Sequence, residues 1–257
     1  MSDNYLTNRV VKDYYFNVAA HGAQPSDYVL KFGRNGEIDI AAPGDIYDNG
    51  TATGGVPTYP FLAAAAVHSI TGAAADASPS GTGARTVEVQ GLDANYAPIV
   101  ETVTMAGAGG VNTSNAFLRI YRMRVLTAGS GAANAGDIDA TAGTVTATIK
   151  AGFNQTLMAV YTVPAGKTAY VARYYASLNK NGGPKTASCD VELLIRPFGS
   201  VFQIKHHLGL VGTATTFIDF PMPIPLSVAA KSDIKLRAHT DTDDTEISGG
   251  FDIVLIG

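Results

Sequence analysis

The sequence predicts an all-β protein made of two β-sandwich domains and an extended N-terminal arm. Short runs in which apolar and polar residues alternate are common, whereas apolar residues at helical spacing are rare. Clusters of Gly, Pro, Asn and Ser separate these runs, as turns require. Charged residues make up only 16% of the 257 residues, against about 25% in a typical soluble domain. Ala, Gly, Thr and Ser take their place, which suits short strands and surfaces that pack against other subunits.

The second half of the chain has the clearer strand pattern, and it is predicted as one domain over residues 151–257. Eight short strands separated by turn signals are typical of a sandwich, and a jelly roll is the leading form. The predicted strands are Leu157–Val163, Thr168–Leu178, Ser188–Arg196, Phe202–His207, Thr215–Phe220, Pro225–Val228, Asp233–His239 and Phe251–Ile256.

The first half is predicted to contain a second, Gly- and Ala-rich β domain over residues 24–150. Arg85–Gln90 and Pro98–Thr104 alternate on either side of an Asp/Asn-rich turn, which predicts a β-hairpin. Phe117–Leu126 and Thr144–Ile149 are further predicted strands. We place the boundary between the two domains near Ala151 and Gly152.

Residues 1–23 are predicted to form an arm rather than a core element. Such a segment is usually ordered only when it is tied down, for instance on a neighbouring subunit. The alternative is an edge strand of its own domain. The candidate interface residues in the arm are Tyr5, Val10, Tyr14, Tyr15 and Phe16.

Charge and composition exclude several classes of partner. The formal net charge is −4, which argues against a protein that binds nucleic acid through many phosphate contacts. The N-terminus lacks a secretory signal, and no apolar stretch is long enough to span a bilayer. Cys189 is the single cysteine, so no internal disulfide can form. We therefore expect a protein that is made in a cytoplasm and has neither nucleic acid nor membrane as a partner.

The motifs of common enzymes and cofactor sites all fail at named positions. Gly166-Lys167-Thr168 resembles the end of a phosphate-binding loop, but the earlier glycine that this loop needs is replaced by Tyr161. There is no Gly-x-Ser-x-Gly nucleophile elbow. We expect no catalytic residues, no cofactor and no enzymatic activity.

The densest acidic cluster is the one weak candidate for a metal site. Carboxylates at this spacing in a loop can hold calcium, but the EF-hand pattern fails, because Glu246 stands at its central glycine position. A solvated hairpin tip is the favoured interpretation. The calcium candidates are Asp241, Asp243, Asp244 and Glu246.

A basic stripe on a predicted strand is a second candidate interface. Arg122 and Arg124 share one face of the strand and Arg119 lies on the other. We consider a salt-bridged contact with a neighbouring acidic subunit and a solvated strand face as equal alternatives.

Turn-and-strand signatures in both halves resemble a group of structural proteins of tailed bacteriophages. In the first half they comprise Gly81–Val87, Gly91–Asp93 and Glu101–Val103, and in the second half Tyr161–Tyr170, Arg196–Gly199 and Lys231–Lys235. The resemblance covers roughly residues 30–257 and implies a virion part, such as a head decoration protein, a neck component or a host-facing appendage. It supplies no catalytic residues.

Two non-enzymatic functions follow from this resemblance. The leading hypothesis is a protein that decorates or stabilises the capsid surface, assembled in the host bacterial cytoplasm as a homotrimer in contact with the major capsid protein or other virion proteins. The alternative is a receptor-binding tail or neck appendage that recognises a host surface glycan. The absence of Trp weakens a sugar-binding role, although twelve tyrosines could replace it.

Overall fold

The computed structural model describes residues 26–40, 42–48, 58–180, 187–212 and 216–257. These ranges contain no α-helix, so the all-β prediction is confirmed, and none of their helical turns has the length and apolar character needed to cross a membrane. A short 3-10 helix spans Gly107–Gly109. The strands are β1 Ser26–Ile38, β2 Gly44–Asp45, β3 Ala66–Thr71, β4 Ala84–Leu92, β5 Pro98–Thr104, β6 Val111–Phe117, β7 Arg119–Ala128, β8 Ile138–Ala142, β9 Thr144–Ile149, β10 Val160–Thr162, β11 Thr168–Lys180, β12 Ala187–Arg196, β13 Gln203–Gly212, β14 Thr216–Val228, β15 Asp233–Thr240 and β16 Thr245–Ile256.

Eight of these strands form a jelly roll. One sheet has the order β1-β16-β11-β14, and the other has the order β10-β15-β12-β13, with the short β2 also pairing with β15. Numbered one to eight along the chain, the strands run 1-8-3-6 in the first sheet and 2-7-4-5 in the second, which is the strand order of a jelly roll. The predicted jelly roll is therefore confirmed, and all of its ladders are antiparallel.

Alternation along the strands builds the core between the two sheets. On β12, Val191, Leu193 and Ile195 point inward and are buried, and on β15 Ile234 and Leu236 do the same. Successive side chains of a strand point to opposite faces, so one alternating run supplies one inner face. The pattern that predicted the strands is thus the pattern that fills the core.

The first jelly-roll strand comes from the part of the chain that we assigned to the other domain. Strand β1 pairs with β16 from Ser26 opposite Ile256 to Ile38 opposite Thr245. Ile38 and Ile46 are fully buried in the jelly-roll core. The boundaries predicted at residues 24 and 151 therefore differ from the structure, because alternation identifies a strand but not a partner more than 200 residues away along the chain.

Residues 58–150, here called the inserted region, lie between the first and second strands of the jelly roll. They form one sheet of order β6-β3-β8-β9 and a second of order β5-β4-β7. These sheets pack around a second core, to which Tyr47, Met158 and Val160 from outside the region also contribute. The predicted hairpin is confirmed, since β4 pairs with β5 from Thr86 opposite Thr104 to Leu92 opposite Pro98. In its turn, the Asp93 carboxylate accepts the backbone N–H groups of Asn95 and Ala97, each at 2.8 Å.

The inserted region covers one edge of the jelly roll. The Arg122 guanidinium donates to the Leu30 carbonyl on β1 at 2.8 Å, and the Tyr59 backbone N–H donates to the Asp45 carboxylate on β2 at 2.8 Å. These contacts cover the edge of the jelly roll that β1 and β10 form. At the opposite edge, β13 and β14 each have one neighbouring strand within the described ranges.

Candidate interaction surface and interdomain cleft

A buried carboxylate ties the inserted region to the jelly roll. Asp233, the first residue of β15, accepts the Arg119 Nε–H at 3.2 Å and the Thr162 hydroxyl at 2.6 Å. Its other oxygen accepts two N–H groups of Arg196. Arg119 and Asp233 are about 5% exposed, so their charges neutralise each other away from water.

Aromatic rings enclose this ion pair. The guanidinium of Arg196 lies 4.6 Å from the ring centres of Phe61 and Phe202, and that of Arg119 lies 5.2 Å from Phe61. The ammonium group of Lys235 lies 4.7 Å from Phe202 and forms a 2.6 Å ion pair with the buried Asp45 carboxylate. The cluster therefore joins the two regions through ion pairs and cation–π contacts.

The structure separates the three arginines that were predicted as an interface stripe. Arg119 is buried in its own subunit, so its assignment as an interface residue is wrong. Tyr121 is an extra residue in the ladder between β4 and β7, so Arg119 and Arg122 pair opposite Leu92 and Gln90 on the same side of the sheet. The jelly roll, through Asp233, buries Arg119 at this end of the strand, and alternation alone does not reveal that contact. Arg122 binds the Leu30 carbonyl. Arg124 pairs with Glu88 at 2.7 Å and stays half exposed, so it is the member of the stripe that a neighbouring subunit could still reach.

The four acidic residues predicted as a calcium site point to separate partners. Asp241 accepts the Ser188 backbone N–H at 2.7 Å, which lowers the pKa of its carboxyl. Asp243 accepts the Ile40 backbone N–H at 2.8 Å. Glu246 accepts from Asn179, and the backbone N–H of Asp244 donates to Asp39. Across the described residues, no three metal-ligating side chains come together, and the loop acts as a turn that fixes its neighbours.

The five arm residues Tyr5, Val10, Tyr14, Tyr15 and Phe16 lie outside the described residues.

Apolar side chains are exposed along the uncovered edge of the jelly roll. They are Ile204 and Val211 on β13 and Phe217 and Ile224 on β14, with exposed fractions of 51%, 61%, 60% and 85%. We call these four side chains the apolar rim. Exposed apolar groups concentrated at one edge commonly mark a surface that another protein covers.

The two edge strands are joined and shaped by aromatic and proline residues. The rings of His206 on β13 and Phe220 on β14 lie 4.3 Å apart and connect the two sheets. His207, the next residue, points to the opposite face and lies 3.6 Å from Asp190. Strand β14 contains Pro221, Pro223 and Pro225. Proline has no N–H to donate, so this edge resists extension by another strand and favours contact through side chains.

A cleft opens at the covered edge, between β1 and the inserted region. Its volume is about 400 Å³. It is lined by Lys31 and Tyr28 of β1, Tyr121 and Arg122 of β7, Gln90 of β4 and Tyr161 of β10. Lys31 is 2% exposed, and burial together with the charge of Arg122 holds the pKa of its ammonium group well below the ordinary value.

Sequence reasoning missed both Lys31 and Asp233. The alternation of β1 was available, because Val29 and Gly33 lie on the same face as Lys31, but the strand was not recognised. Asp233 was predicted as the first residue of a strand and as part of a turn signature, but not as a buried charge. A lysine or aspartate within an otherwise apolar alternation was the signal that could have marked these buried charges.

Comparison with known proteins identifies no family for this chain. No family model matches it, and no curated protein matches it. Among solved structures, it is similar to a chain from the structure of infectious bursal disease virus Gx strain, with 11% identity, a TM-score of 0.24 and coverage of 90% of this chain and 72% of that chain. A chain from the Gt strain structure gives 12% identity, a TM-score of 0.24 and coverage of 90% and 71%.

Proposed function

We propose that this protein is a non-enzymatic structural component of a tailed-phage virion, where it decorates or stabilises the capsid surface. The observation that supports the proposal best is the apolar rim. One edge of the jelly roll is covered by the inserted region of the same chain, whereas the opposite edge exposes Phe217 and Ile224 by 60% and 85%. A part that repeats many times in an assembly needs such a surface.

The proposed partner at the rim is another copy of this chain, in a homotrimer. Oligomers usually close by cyclic symmetry, and apolar side chains at the interface provide the driving force. The prolines of β14 prevent open-ended strand addition, which would give fibres rather than a closed ring. The trimer would then bind the major capsid protein or other virion proteins after assembly in the host cytoplasm.

The resemblance of the turn signatures to tailed-phage structural proteins supports the virion assignment. The signature around Gly91–Asp93 forms the β4–β5 turn, and the one around Lys231–Lys235 leads into β15. Both signatures therefore lie in turns and strands that shape the scaffold, as expected for a structural role.

The oligomeric mass of the full chain in solution tests whether the apolar rim is an interface between copies of the chain. We expect a particle of three 26.6 kDa chains by light scattering, and a monomer for the double variant Phe217→Ser/Ile224→Ser. Val100→Ser is the matched control, because Val100 is 58% exposed but lies on β5 of the inserted region. A wild-type monomer, or a double variant that keeps the wild-type mass, would contradict the proposed interface.

Mass spectrometry of purified virions tests whether the protein is part of the virion. Particles that package the gene for this chain should contain the polypeptide at many copies per particle. Particles free of the polypeptide would refute the virion role, whatever the oligomeric mass.

A receptor-binding appendage is the second candidate, and the interdomain cleft favours it. Tyr28, Tyr121 and Tyr161 place three aromatic rings around one opening, which is an arrangement that suits a sugar. Binding of the full chain to host cells, abolished by soluble host glycan, would support this role over capsid decoration.

A further inference from the structure

Lys31 is a buried amine that pairs with no carboxylate in the part of the chain that the structure describes. Its ammonium group donates to the Tyr121 carbonyl and lies 5.5 Å from the centre of the Tyr121 ring. Among the described residues, no acidic side chain forms an ion pair with it, and the charge that acts on it most is that of Arg122. Lys235, the other buried lysine among the described residues, is paired with Asp45.

The free energy lost by burying the Lys31 amine beside Arg122 requires an explanation. A buried ion without a partner loses several kcal/mol of hydration, and two like charges in a low-dielectric space repel each other. Met or Leu would fill much of the same space without the charge. A negative group in the cleft would compensate Lys31 and Arg122 together.

Four of the side chains that line the cleft carry donors that suit an anion. Arg122 and Lys31 provide N–H donors, whereas the Gln90 amide already donates to the Glu88 carboxylate at 2.6 Å. Burial raises the pKa values of the Tyr121 and Tyr161 hydroxyls, so both remain protonated donors at neutral pH. The rings of Tyr121 and Tyr161 lie 5.2 Å apart in an edge-on arrangement and present flat surfaces beside the cations.

We propose that the cleft binds a small organic anion through its carboxylate, with Lys31 and Arg122 as the charged ligands of that group. The tyrosines and Gln90 would contact a hydroxylated ring attached to the carboxylate, as in a uronic acid. A volume of about 400 Å³ suits a small ligand of this size and is too small for a folded partner. The two cations exclude a metal ion as the occupant.

Calorimetric titration of the full chain with sodium glucuronate tests the proposal. Sodium acetate, glucose and sodium phosphate serve as separate probes for the carboxylate, the sugar ring and a different anion. We expect glucuronate to bind more tightly than acetate, and both to bind more tightly than glucose and phosphate. Tighter binding of phosphate than of either carboxylate would overturn the proposed ligand class, and so would tighter binding of glucose.

Variants of Lys31 and Arg122 test whether these two side chains bind the ligand. Lys31→Met and Arg122→Gln should each weaken glucuronate binding by about ten- to a hundredfold, since each removes a charge-assisted hydrogen bond. Arg124→Gln lies on the same strand but pairs with Glu88 outside the cleft, and it should bind glucuronate like the wild type.

The folding of each variant is checked by circular dichroism before titration. Because Lys31→Met removes an uncompensated charge, we expect it to fold with at least the wild-type stability, so a loss of binding would report on the site. Wild-type affinity in Lys31→Met, or no heat from either carboxylate with the wild type, would overturn the proposal. Either result would leave the virion assignment untouched, because that assignment depends on the apolar rim and on the content of purified particles.

Discussion

Replacing Asp233 by Asn is expected to weaken the connection between the jelly roll and the inserted region. Asp233 is 4% exposed and accepts hydrogen bonds from Arg119, Thr162 and Arg196. Asparagine has nearly the same shape but no charge, so the variant leaves the buried Arg119 guanidinium without its counterion. The change therefore tests the ion pair without creating a cavity.

The size of the effect follows from the burial of the two arginines. A hydrogen bond to a charged group contributes about 1.5–3 kcal/mol, but several bonds to one carboxylate do not add fully. Arg196 is 27% exposed and can regain water, whereas Arg119 at 5% cannot. Loss of one partner of a buried pair costs about 3–5 kcal/mol, and we expect the free energy of unfolding to fall by that amount.

Urea unfolding measures this difference. The chain has no Trp, so circular dichroism and tyrosine fluorescence are the suitable signals. A loss of about 3–5 kcal/mol corresponds to a midpoint lower by about 1–2 M urea. Arg124→Gln, which breaks the half-exposed pair with Glu88, is the control and should cost less than about 1 kcal/mol.

A double-mutant cycle provides the result that would refute the reasoning. If Arg119 and Asp233 act on each other, Arg119→Met combined with Asp233→Asn should cost less than the two single changes added together. Additive costs, or an Asp233→Asn variant no less stable than the Arg124 control, would show that the ion pair does not stabilise the junction.

Three further predictions concern the strand that enters the jelly roll from the N-terminal side and the buried thiol. A Cβ at Gly33 would lie 2.2 Å from the Ile46 carbonyl oxygen, so Gly33→Ala should cost about 1–3 kcal/mol or more in urea unfolding, whereas Gly36→Ala, which meets no atom within 4 Å, should cost far less. The pKa of Lys31 is lowered in the folded protein, so the unfolded chain binds more protons between that pKa and the ordinary value of 10.5. The free energy of unfolding should therefore rise with pH above the lowered pKa, up to about pH 10, where ionisation of buried tyrosines begins to favour unfolding. Lys31→Met should remove part of that rise, and an unchanged slope in thermal melts across this range would contradict the assignment. Burial raises the pKa of the Cys189 thiol to about 12, so a thiol reagent at pH 8 should modify it only after unfolding, and rapid labelling of the native protein would contradict its burial.

The strands with strong alternation could be predicted from the sequence. The β4–β5 hairpin and the strands β12 and β15 follow their predicted ranges closely, because Val, Ile and Leu alternate with polar residues there. Strands β3, β6 and β8 were not predicted. Their residues are largely Ala, Ser, Thr and Asn, whose weak apolar contrast leaves little periodic signal.

The candidate site was less predictable than the strands. The arginine stripe is visible as a charged pattern, but its three members contact different partners, which are Asp233 for Arg119, the Leu30 carbonyl for Arg122 and Glu88 for Arg124. The acidic loop was noticed as a cluster, but its carboxylates bind separate backbone groups. Local spacing gives the order of charges along a strand, whereas the partner of each charge depends on the packing of distant segments.

The sequence by itself determined that this protein is built from β-strands, that its second half supplies most of a jelly roll, and that the motifs of familiar enzymes are absent. These properties depend on local alternation, turn residues and composition. Only the tertiary structure decided that Ser26–Ile38 belongs to the jelly roll, that residues 58–150 are inserted into it, that one edge stays open with the apolar rim, and that Lys31 faces a cleft. Each of these depends on pairing between segments far apart in the chain, and such pairing is selected by the packing of the whole core rather than by any local pattern.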